Sequence, residues 1–256
     1  MSDTQFDDEI LDSNAISPTD EEGNPVPVTI PIALAPGVTV VYTTRLGGVS
    51  HGDFGDCNLG GKGGDDPQAI LANRVSLAKS VGCGLSLVSQ VHSGRAVDVD
   101  ASWHLNTPFG FDVSGTPGEV TADGEAQAAT VVEADGQVTS RAGVALGMFA
   151  ADCLPVLMAD AQAGVIGAAH CGRKGLQRGI IGATIDAMVA KGAAPERIAA
   201  TLGPCICGDC YEVGDAIASE FDAQFPGTFT LTRFGGPGID IAKACLLYTS
   251  PSPRDA

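Results

Sequence analysis

The chain has 256 residues, which corresponds to one large domain or two small ones. Hydrophobic residues make up 44% and charged residues 18% of it, a composition that excludes a disordered or fibrous protein. Fourteen Lys and Arg residues are set against 31 Asp and Glu residues, which leaves a formal net charge of −17. Such an acidic surface disfavours nonspecific binding to nucleic acids and to anionic membranes.

The absence of long apolar runs, the acidic first residues and the cysteine content indicate the cellular compartment. No apolar run approaches the ~20 residues that a membrane helix needs, and residues 1–26 are acidic instead of forming a basic and then apolar leader. We therefore expect a cytoplasmic protein. In that compartment, the eight cysteines favour reduced thiols or a metal site over disulfides.

The first third of the chain predicts a tail, two strands and a helix. Residues 1–26 combine many acids with Pro, Ser, Asn and Gly, which predicts a disordered tail. Branched apolar residues predict strands at 28–34 and 38–44, and a Gly-rich loop follows at about 46–66. Asp65-Asp66-Pro67 is typical of a helix start, and Gly82 would end that helix.

The remainder alternates between strand and helix patterns. We expect a strand over 85–92 that carries His92 at its end, and a long polar excursion at 102–128. Later segments are predicted in chain order: apolar runs at 144–153 and 156–158 separated by Pro155, a strand at 164–170, a helix at 175–191, a strand at 198–202 and a helix at 213–225. These patterns predict an α+β domain without repeats.

Three residues are the main candidates for a functional centre. His92, Cys153 and His170 each follow an apolar run, where a sheet could present them into one cleft. Their spacing matches no local zinc signature. From the residues alone, a hydrogen-bonded core His and an inert core Cys remain an open alternative to a metal site.

Two further patterns also allow two interpretations. Cys205, Cys207 and Cys210 could hold a structural zinc with a fourth ligand from elsewhere, or could form a reduced thiol cluster in a turn. Arg173 and Lys174 follow His170 closely and, like Arg45, could hold an anion such as phosphate, or could be solvated surface charges. The paired glycines lack both common nucleotide-binding patterns and predict turns.

Several motifs together resemble one known family. They are, in order, 43-TTRLGGVS-50, 57-CNLG-60, 90-QVH-92, 151-ADCLPV-156, 169-AHCG-172 and 202-LGP-204 with 210-CYEV-213. On these motifs the chain resembles the YfiH-type laccase-domain family, also called multicopper polyphenol oxidases, over about residues 30–244.

The resemblance implies a fold, a metal and an activity. The fold would be a single-domain, layered α/β/β/α sandwich, and the cofactor would be zinc held by His92, Cys153 and His170. The family is similar in activity to purine nucleoside phosphorylases, with adenosine deaminase and methylthioadenosine phosphorylase activities at the same site. The implied substrates are a small-molecule nucleoside and phosphate, with no nucleic acid and no membrane as partner.

The resemblance also implies catalytic and binding roles for individual residues. Cys153, His170 and Asp152 are the expected catalytic residues, and the expected binding residues for substrate or phosphate are Arg45, Asn58, Arg173 and Lys174. The chain departs from the common family pattern at 170-HCGRKG-175, where relatives often read His-Ala-Gly-Trp-Arg-Gly. Residues 27–244 are predicted to be the family domain, and 245–256 a tail that does not resemble it.

Three other functions remain open at this stage. The first is a copper-dependent polyphenol oxidase with Met148 or Met158 as axial ligand, although four histidines in the chain are few for several copper centres. The second is a hydrolase that edits a peptide precursor, with Cys153 as nucleophile and His170 as base. The third is a metal-stabilised binding module without turnover.

Overall fold

A computed structural model of the chain describes residues 18–101 and 132–249. Residues 1–17 of the predicted tail, the whole predicted excursion at 102–128 and residues 250–256 lie outside these ranges. The described residues divide into two compact units, one made of residues 18–31 and 41–82 and the other of residues 32–40, 83–101 and 132–249.

The first unit contains helix α1 (Pro67–Val81). Its start follows the predicted chemistry, because the Asp66 side chain accepts a hydrogen bond from the Gln68 backbone N–H at 3.0 Å and Pro67 occupies the first turn. The helix ends at Gly82, which adopts the left-handed conformation that glycine tolerates best. Both predicted ends of α1 are confirmed.

A two-stranded sheet precedes this helix and contains residues from both units. It pairs β1 (Thr29–Ala35) with β2 (Val38–Thr43), as the branched residues predict. The turn between the strands uses Gly37 at a φ of 76°.

The second unit is built on a five-stranded sheet. Its strands are β4 (Ala96–Asp98), β5 (Gly136–Thr139), β7 (Leu154–Asp160), β8 (Val165–Cys171) and β9 (Ala199–Leu202). Their order in the sheet is β4-β5-β8-β7-β9. Strands β4 and β5 pair in parallel, whereas the β5–β8, β8–β7 and β7–β9 pairs are antiparallel.

Two small sheets and four helices complete this unit. One small sheet pairs two parallel strands and the other is an antiparallel hairpin. The elements are β3 (Gly84–Ser86), β6 (Val144–Leu146), β10 (Phe229–Leu231), β11 (Pro237–Ile239), α2 (Arg173–Gln177), α3 (Ile180–Ala190), α4 (Asp215–Gln224) and α5 (Ile241–Thr249). Short 3-10 turns lie at Gly52–Phe54, Val99–Ala101 and Pro195–Arg197.

The core of the second unit lies between its large sheet and the helices. Helix α3 packs against β8, β5 and β4, while α4 packs against β10 and β11. Fully buried side chains from both layers meet there, among them Val156 and Met158 of the sheet, Ile180 and Met188 of α3, and Phe221 of α4. Removal of these apolar surfaces from water is the main force that fixes the helices on the sheet.

Three predicted elements differ from the observed ones. The strand predicted over 85–92 ends at Ser86, and the helix predicted over 175–191 is split into α2 and α3. The split falls at Gly179, whose φ of 76° interrupts the helical path. Pro155 does not separate two runs but lies near the start of β7, where a missing N–H donor is tolerated.

The predicted α+β class is confirmed by this mixture of sheets and helices. Residues 18–26 of the predicted acidic tail form a turn in which the Asp20 carboxylate accepts hydrogen bonds from the backbone N–H groups of Glu22 and Asn24. Helix α5 runs across the domain boundary predicted at residue 244. Within 18–101 and 132–249, no helix has both the length and the apolar character needed to cross a bilayer.

We expect the buried Asp160 carboxylate to stabilise the second unit in a pH-dependent way. It accepts hydrogen bonds from the Ala163 and Ala194 backbone N–H groups at 3.1 and 2.9 Å and forms an ion pair with Arg197 at 2.8 Å. The hydrogen bond from Arg197, followed by that from Ala194, lowers the pKa of Asp160 to about 2. Asp160→Asn should therefore lower the urea midpoint of unfolding at neutral pH.

The difference between Asp160→Asn and wild type should depend on pH with a defined sign. Because the folded-state pKa is depressed, the contribution is fully present above the unfolded pKa of about 4 and is lost as the pH falls towards 2. Urea titrations between pH 7 and pH 2.5 measure it, with Asp186→Asn on the exposed side of α3 as the matched control. A midpoint difference that does not shrink on acidification would contradict this assignment.

Candidate metal centre

Three potential metal ligands converge in the second unit. The ligand atoms of His92, Cys153 and His170 all lie within 4.8 Å of one another. Cys153 Sγ is 3.6 Å from His92 Nε2, and the two imidazole rings meet edge to face with centroids 4.8 Å apart. Among the described residues, this is the group of three that could hold a metal ion.

The topology of the large sheet explains why residues so distant in sequence meet. Strand β8 ends where its antiparallel neighbours β7 and β5 begin, since Cys171 pairs with Leu154 and Ala169 pairs with Gly136. His170 therefore lies at the same edge of the sheet as Cys153, which immediately precedes β7. Because β4 runs parallel to β5, the segment that enters β4 brings His92 to that edge as well.

A buried carboxylate, Asp135, connects two of the ligands. Its Oδ1 lies 2.8 Å from Nδ1 of His170 and accepts a hydrogen bond from the backbone N–H of His92 at 3.0 Å. Its Oδ2 accepts hydrogen bonds from the N–H groups of Val91 and Ser93 and from the Ser93 hydroxyl. With Nδ1 of His170 bound to Asp135, Nε2 is the nitrogen left to bind a metal.

The same hydrogen bonds hold His92 in an unusual backbone conformation. Its φ of 57° is in the left-handed region, and it is the non-glycine residue with positive φ among those described. The carboxylate of Asp135 satisfies the N–H groups on both sides of this turn, and the Arg178 guanidinium donates to the His92 carbonyl at 2.6 Å. Such strain is typical of functional positions.

Charge interactions within the centre shift three pKa values. Burial alone would raise the pKa of Asp135, but hydrogen bonds from His170 and Ser93 outweigh it and lower the pKa to about 2. Burial would likewise lower the pKa of His170, but its hydrogen bond to Asp135 dominates and raises the pKa to about 9. Burial and the nearby charge of His170 lower the pKa of His92.

The donor atoms fit a tetrahedral zinc ion. Zinc bonds of about 2.3 Å to sulfur and 2.05 Å to nitrogen, at a tetrahedral angle, place the two donors about 3.5 Å apart, close to the observed 3.6 Å between Cys153 and His92. Gly172 keeps the adjacent space open, since a Cβ there would lie 2.8 Å from Cys153 Sγ and 3.1 Å from His92 Nε2. Three protein ligands leave one tetrahedral position for water or substrate.

Gln90 ties the loop before Cys153 to the segment that carries His92. Its side-chain amide donates to the Phe149 carbonyl and accepts from the Phe149 N–H, both at 2.7 Å. This paired contact copies the hydrogen bonding of a β-bridge and fixes the two segments relative to each other.

Positive charge lies beside the centre on α2. Lys174 is close enough to His92 to depress its pKa. Burial raises the pKa of Tyr211, and the positive charge of Arg173 opposes this shift. Arg173 donates a hydrogen bond to Gln177 at 2.8 Å. Asp152 precedes Cys153, and its backbone carbonyl accepts a hydrogen bond from the Ile206 N–H at 2.9 Å.

Arg45 and Asn58 belong to the first unit. The Arg45 guanidinium donates to the Asp53 carbonyl, and the Asn58 side chain donates to the Asp65 carboxylate at 3.0 Å. Asn58 also accepts a hydrogen bond from the Gly60 N–H at 3.0 Å, so its amide shapes the Gly-rich loop. Their predicted roles in binding substrate or phosphate remain predictions.

Several residues of the centre are not among those predicted from sequence. Asp135 could not be found from a strand pattern in the sequence, because it lies between an isolated β-bridge at Glu133 and the start of β5. Gly172 and Tyr211 fall inside motifs that resemble the family, but neither residue type alone signals a role. The Cys205, Cys207 and Cys210 thiols do not assemble a second group of three metal ligands within the described part of the chain.

Comparison with known proteins supports the resemblance seen in the motifs. A family model described as "Multi-copper polyphenol oxidoreductase laccase" matches residues 39–247. The chain is 42% identical over 203 residues to "Purine nucleoside phosphorylase ORF3" of Streptomyces griseus, covering 78% of this chain and 74% of that protein. It is 31% identical over 188 residues to "Adenosine deaminase RL5" of an unknown prokaryotic organism, covering 72% and 66%.

Solved structures confirm the fold. Protein NMB0706 of Neisseria meningitidis superposes with a TM-score of 0.70 at 29% identity, over 87% of this chain and 82% of that one. The hypothetical protein YfiH of Bacillus licheniformis superposes with a TM-score of 0.67 at 26% identity, over 86% and 79%. The resemblance to the YfiH-type family is thereby confirmed.

We expect Asp135 to control metal affinity. Asp135→Asn keeps the size of the side chain but replaces an anion that accepts on both oxygens with an amide that accepts on one, so His170 and the His92 turn lose orientation. Zinc affinity should fall about 10- to 100-fold. Competition with a chromophoric chelator measures this affinity, and Asp186→Asn is the control; circular dichroism checks that the variant folds. Unchanged affinity in a folded Asp135→Asn protein would rule out this role.

Proposed function

This chain belongs to the multi-copper polyphenol oxidoreductase laccase family, and we propose that it is a zinc-dependent purine nucleoside phosphorylase that also deaminates adenosine at the same site. Relatives carry the names of nucleoside-processing enzymes, and membership of this enzyme family makes small molecules the expected substrates. The single observation that supports the proposal best is the convergence of His92, Cys153 and His170 beside the cations of α2.

Zinc fits this site better than a set of copper centres. Two imidazoles and one thiolate can hold a single copper ion, but a multicopper oxidase needs further copper sites rich in imidazole, and the whole chain has four histidines, two of which are in this group. Three nitrogen and sulfur ligands with one open position are the pattern of a catalytic zinc site. When bound, zinc supplies Lewis acidity that makes an oxygen nucleophile or a leaving group reactive near neutral pH.

In phosphorolysis the residues of this chain would act on phosphate and on the leaving base. A phosphate oxygen attacks the anomeric carbon of the ribose, the glycosidic C–N bond breaks, and the purine leaves with a proton. Arg173 and Lys174 would hold the phosphate in line for attack and balance its charge. The hydrogen bond to Gln177 keeps the Arg173 guanidinium in place. Asp152 would orient a substrate hydroxyl or take part in proton transfer.

In deamination water replaces phosphate as the nucleophile. Water attacks C6 of adenosine, and ammonia leaves to give inosine. His92 and His170 would be held by the Asp135 network, so their orientation does not have to be organised during the reaction. The cations of α2 have no phosphate to bind in this reaction. We therefore expect them to matter for phosphorolysis and not for deamination.

Product analysis tests the proposal. The zinc-loaded protein is incubated with adenosine with and without phosphate, and the products are resolved by chromatography. We expect adenine and ribose 1-phosphate only with phosphate, and inosine in both samples. Cys153→Ala should abolish both reactions, because it removes a ligand, whereas Cys83→Ala is the matched control. If a folded, zinc-loaded protein gives no product, the proposal fails; turnover of a peptide precursor without metal would favour the Cys–His hydrolase.

Arg173→Ala should separate the two reactions. Charged hydrogen bonds contribute about 1.5–3 kcal/mol, so loss of this guanidinium should raise the KM for phosphate roughly ten- to hundredfold. Deamination should change little, since it uses no phosphate. Steady-state rates at varied phosphate measure the effect, with Arg141→Ala as control. An equal loss of both activities would show that Arg173 acts on the fold or on the nucleoside instead.

A further inference from the structure

The Cys207–Cys210 pair is not used in the proposed reaction, yet its geometry is that of a dithiol close to bond formation. The two sulfurs are 3.3 Å apart, against about 2.05 Å in a disulfide. The turn between them is closed by hydrogen bonds to the Cys207 carbonyl from the N–H groups of Cys210 and Tyr211, at 2.9 and 3.1 Å. A small side-chain rotation would therefore bring the sulfurs together.

Accessibility distinguishes Cys207 from the other thiols, because it is the exposed one. Cys210 is partly exposed, as are Cys83, Cys153 and Cys205, and the remaining three thiols are buried. A small disulfide in solution can reach Cys207, and Cys210 stands behind it as a second thiol. Metal binding is a weaker explanation, because the Cys205, Cys207 and Cys210 thiols form no group of three ligands in the described residues and thiolate zinc sites normally need four.

The turn is also fixed to its surroundings on two sides. Thr230 donates to the Gly208 carbonyl and the Arg233 N–H to the Asp209 carbonyl, both at 2.8 Å, which holds the turn to the β10–β11 hairpin. On the other side, Ile206 donates to the Asp152 carbonyl next to Cys153.

We propose that Cys207 and Cys210 form a reversible disulfide by exchange with low-molecular-mass disulfides. The Cys207 thiolate attacks one sulfur of the small disulfide, forms a mixed disulfide and releases one thiolate. The Cys210 thiolate then attacks the Cys207 sulfur, forms the internal disulfide and releases the second thiolate. The two protein thiols are oxidised, the small disulfide is reduced to two thiols, and these take up the two protons.

Alkylation and mass spectrometry test the disulfide. The full chain is equilibrated at pH 7 with glutathione and glutathione disulfide at several ratios, and free thiols are then blocked with N-ethylmaleimide. We expect the oxidised protein to lose two hydrogens and two alkylation sites, both at Cys207 and Cys210. Cys207→Ser and Cys210→Ser should each abolish this change, and Cys205→Ser, in the same loop, should keep it.

Three results would overturn the disulfide. They are full alkylation at every ratio, an internal disulfide that survives in Cys207→Ser but is lost in Cys205→Ser, and a second bound zinc in the reduced protein that Cys207→Ser releases. Each of these is read by mass, without any assay of activity.

Discussion

The buried carboxylate of Asp135 is the interaction on which the centre depends. An anion removed from water is costly unless donors replace its hydration, and here the donors are the backbone N–H groups around His92, the Ser93 hydroxyl and the ring of His170. The same bonds that satisfy the charge orient two metal ligands from distant parts of the chain. Loss of the carboxylate would leave buried donors unpaired as well as ligands unoriented.

The position of that carboxylate follows from the mixed strand directions of the large sheet. The β5 and β7 strands begin where β8 ends, so residues that precede β5 and β7 collect at one edge together with the last residues of β8. Asp135, Cys153 and His170 are these residues. The parallel β4–β5 pair adds His92 to the same edge. A fully parallel sheet would place the beginnings and ends of its strands at opposite edges and could not assemble this set of ligands.

The sequence predicts the metal ligands better than it predicts the residues that orient them. His170 and Cys153 flank apolar runs that become β8 and β7, so their placement at strand ends could be inferred from hydrophobic pattern alone. His92 could not be placed in this way: the apolar run before it ends as a strand at Ser86, and a left-handed residue then reverses the backbone. That turn is stabilised by Asp135, a contact between segments that no local pattern encodes. The division of the helix at Gly179 is a similar case, since one glycine overrides an otherwise continuous apolar face.

The name of the family and the names of its relatives point to different chemistry, and the number of imidazole ligands helps to decide between them. Electron transfer through several coppers requires more imidazoles than four histidines supply. A single centre with two imidazoles and one thiolate, an open space kept by Gly172 and cations at the start of α2 instead favours activation of a nucleophile next to a bound anion. In such a site the metal and the phosphate would be held by different segments, the sheet edge and α2.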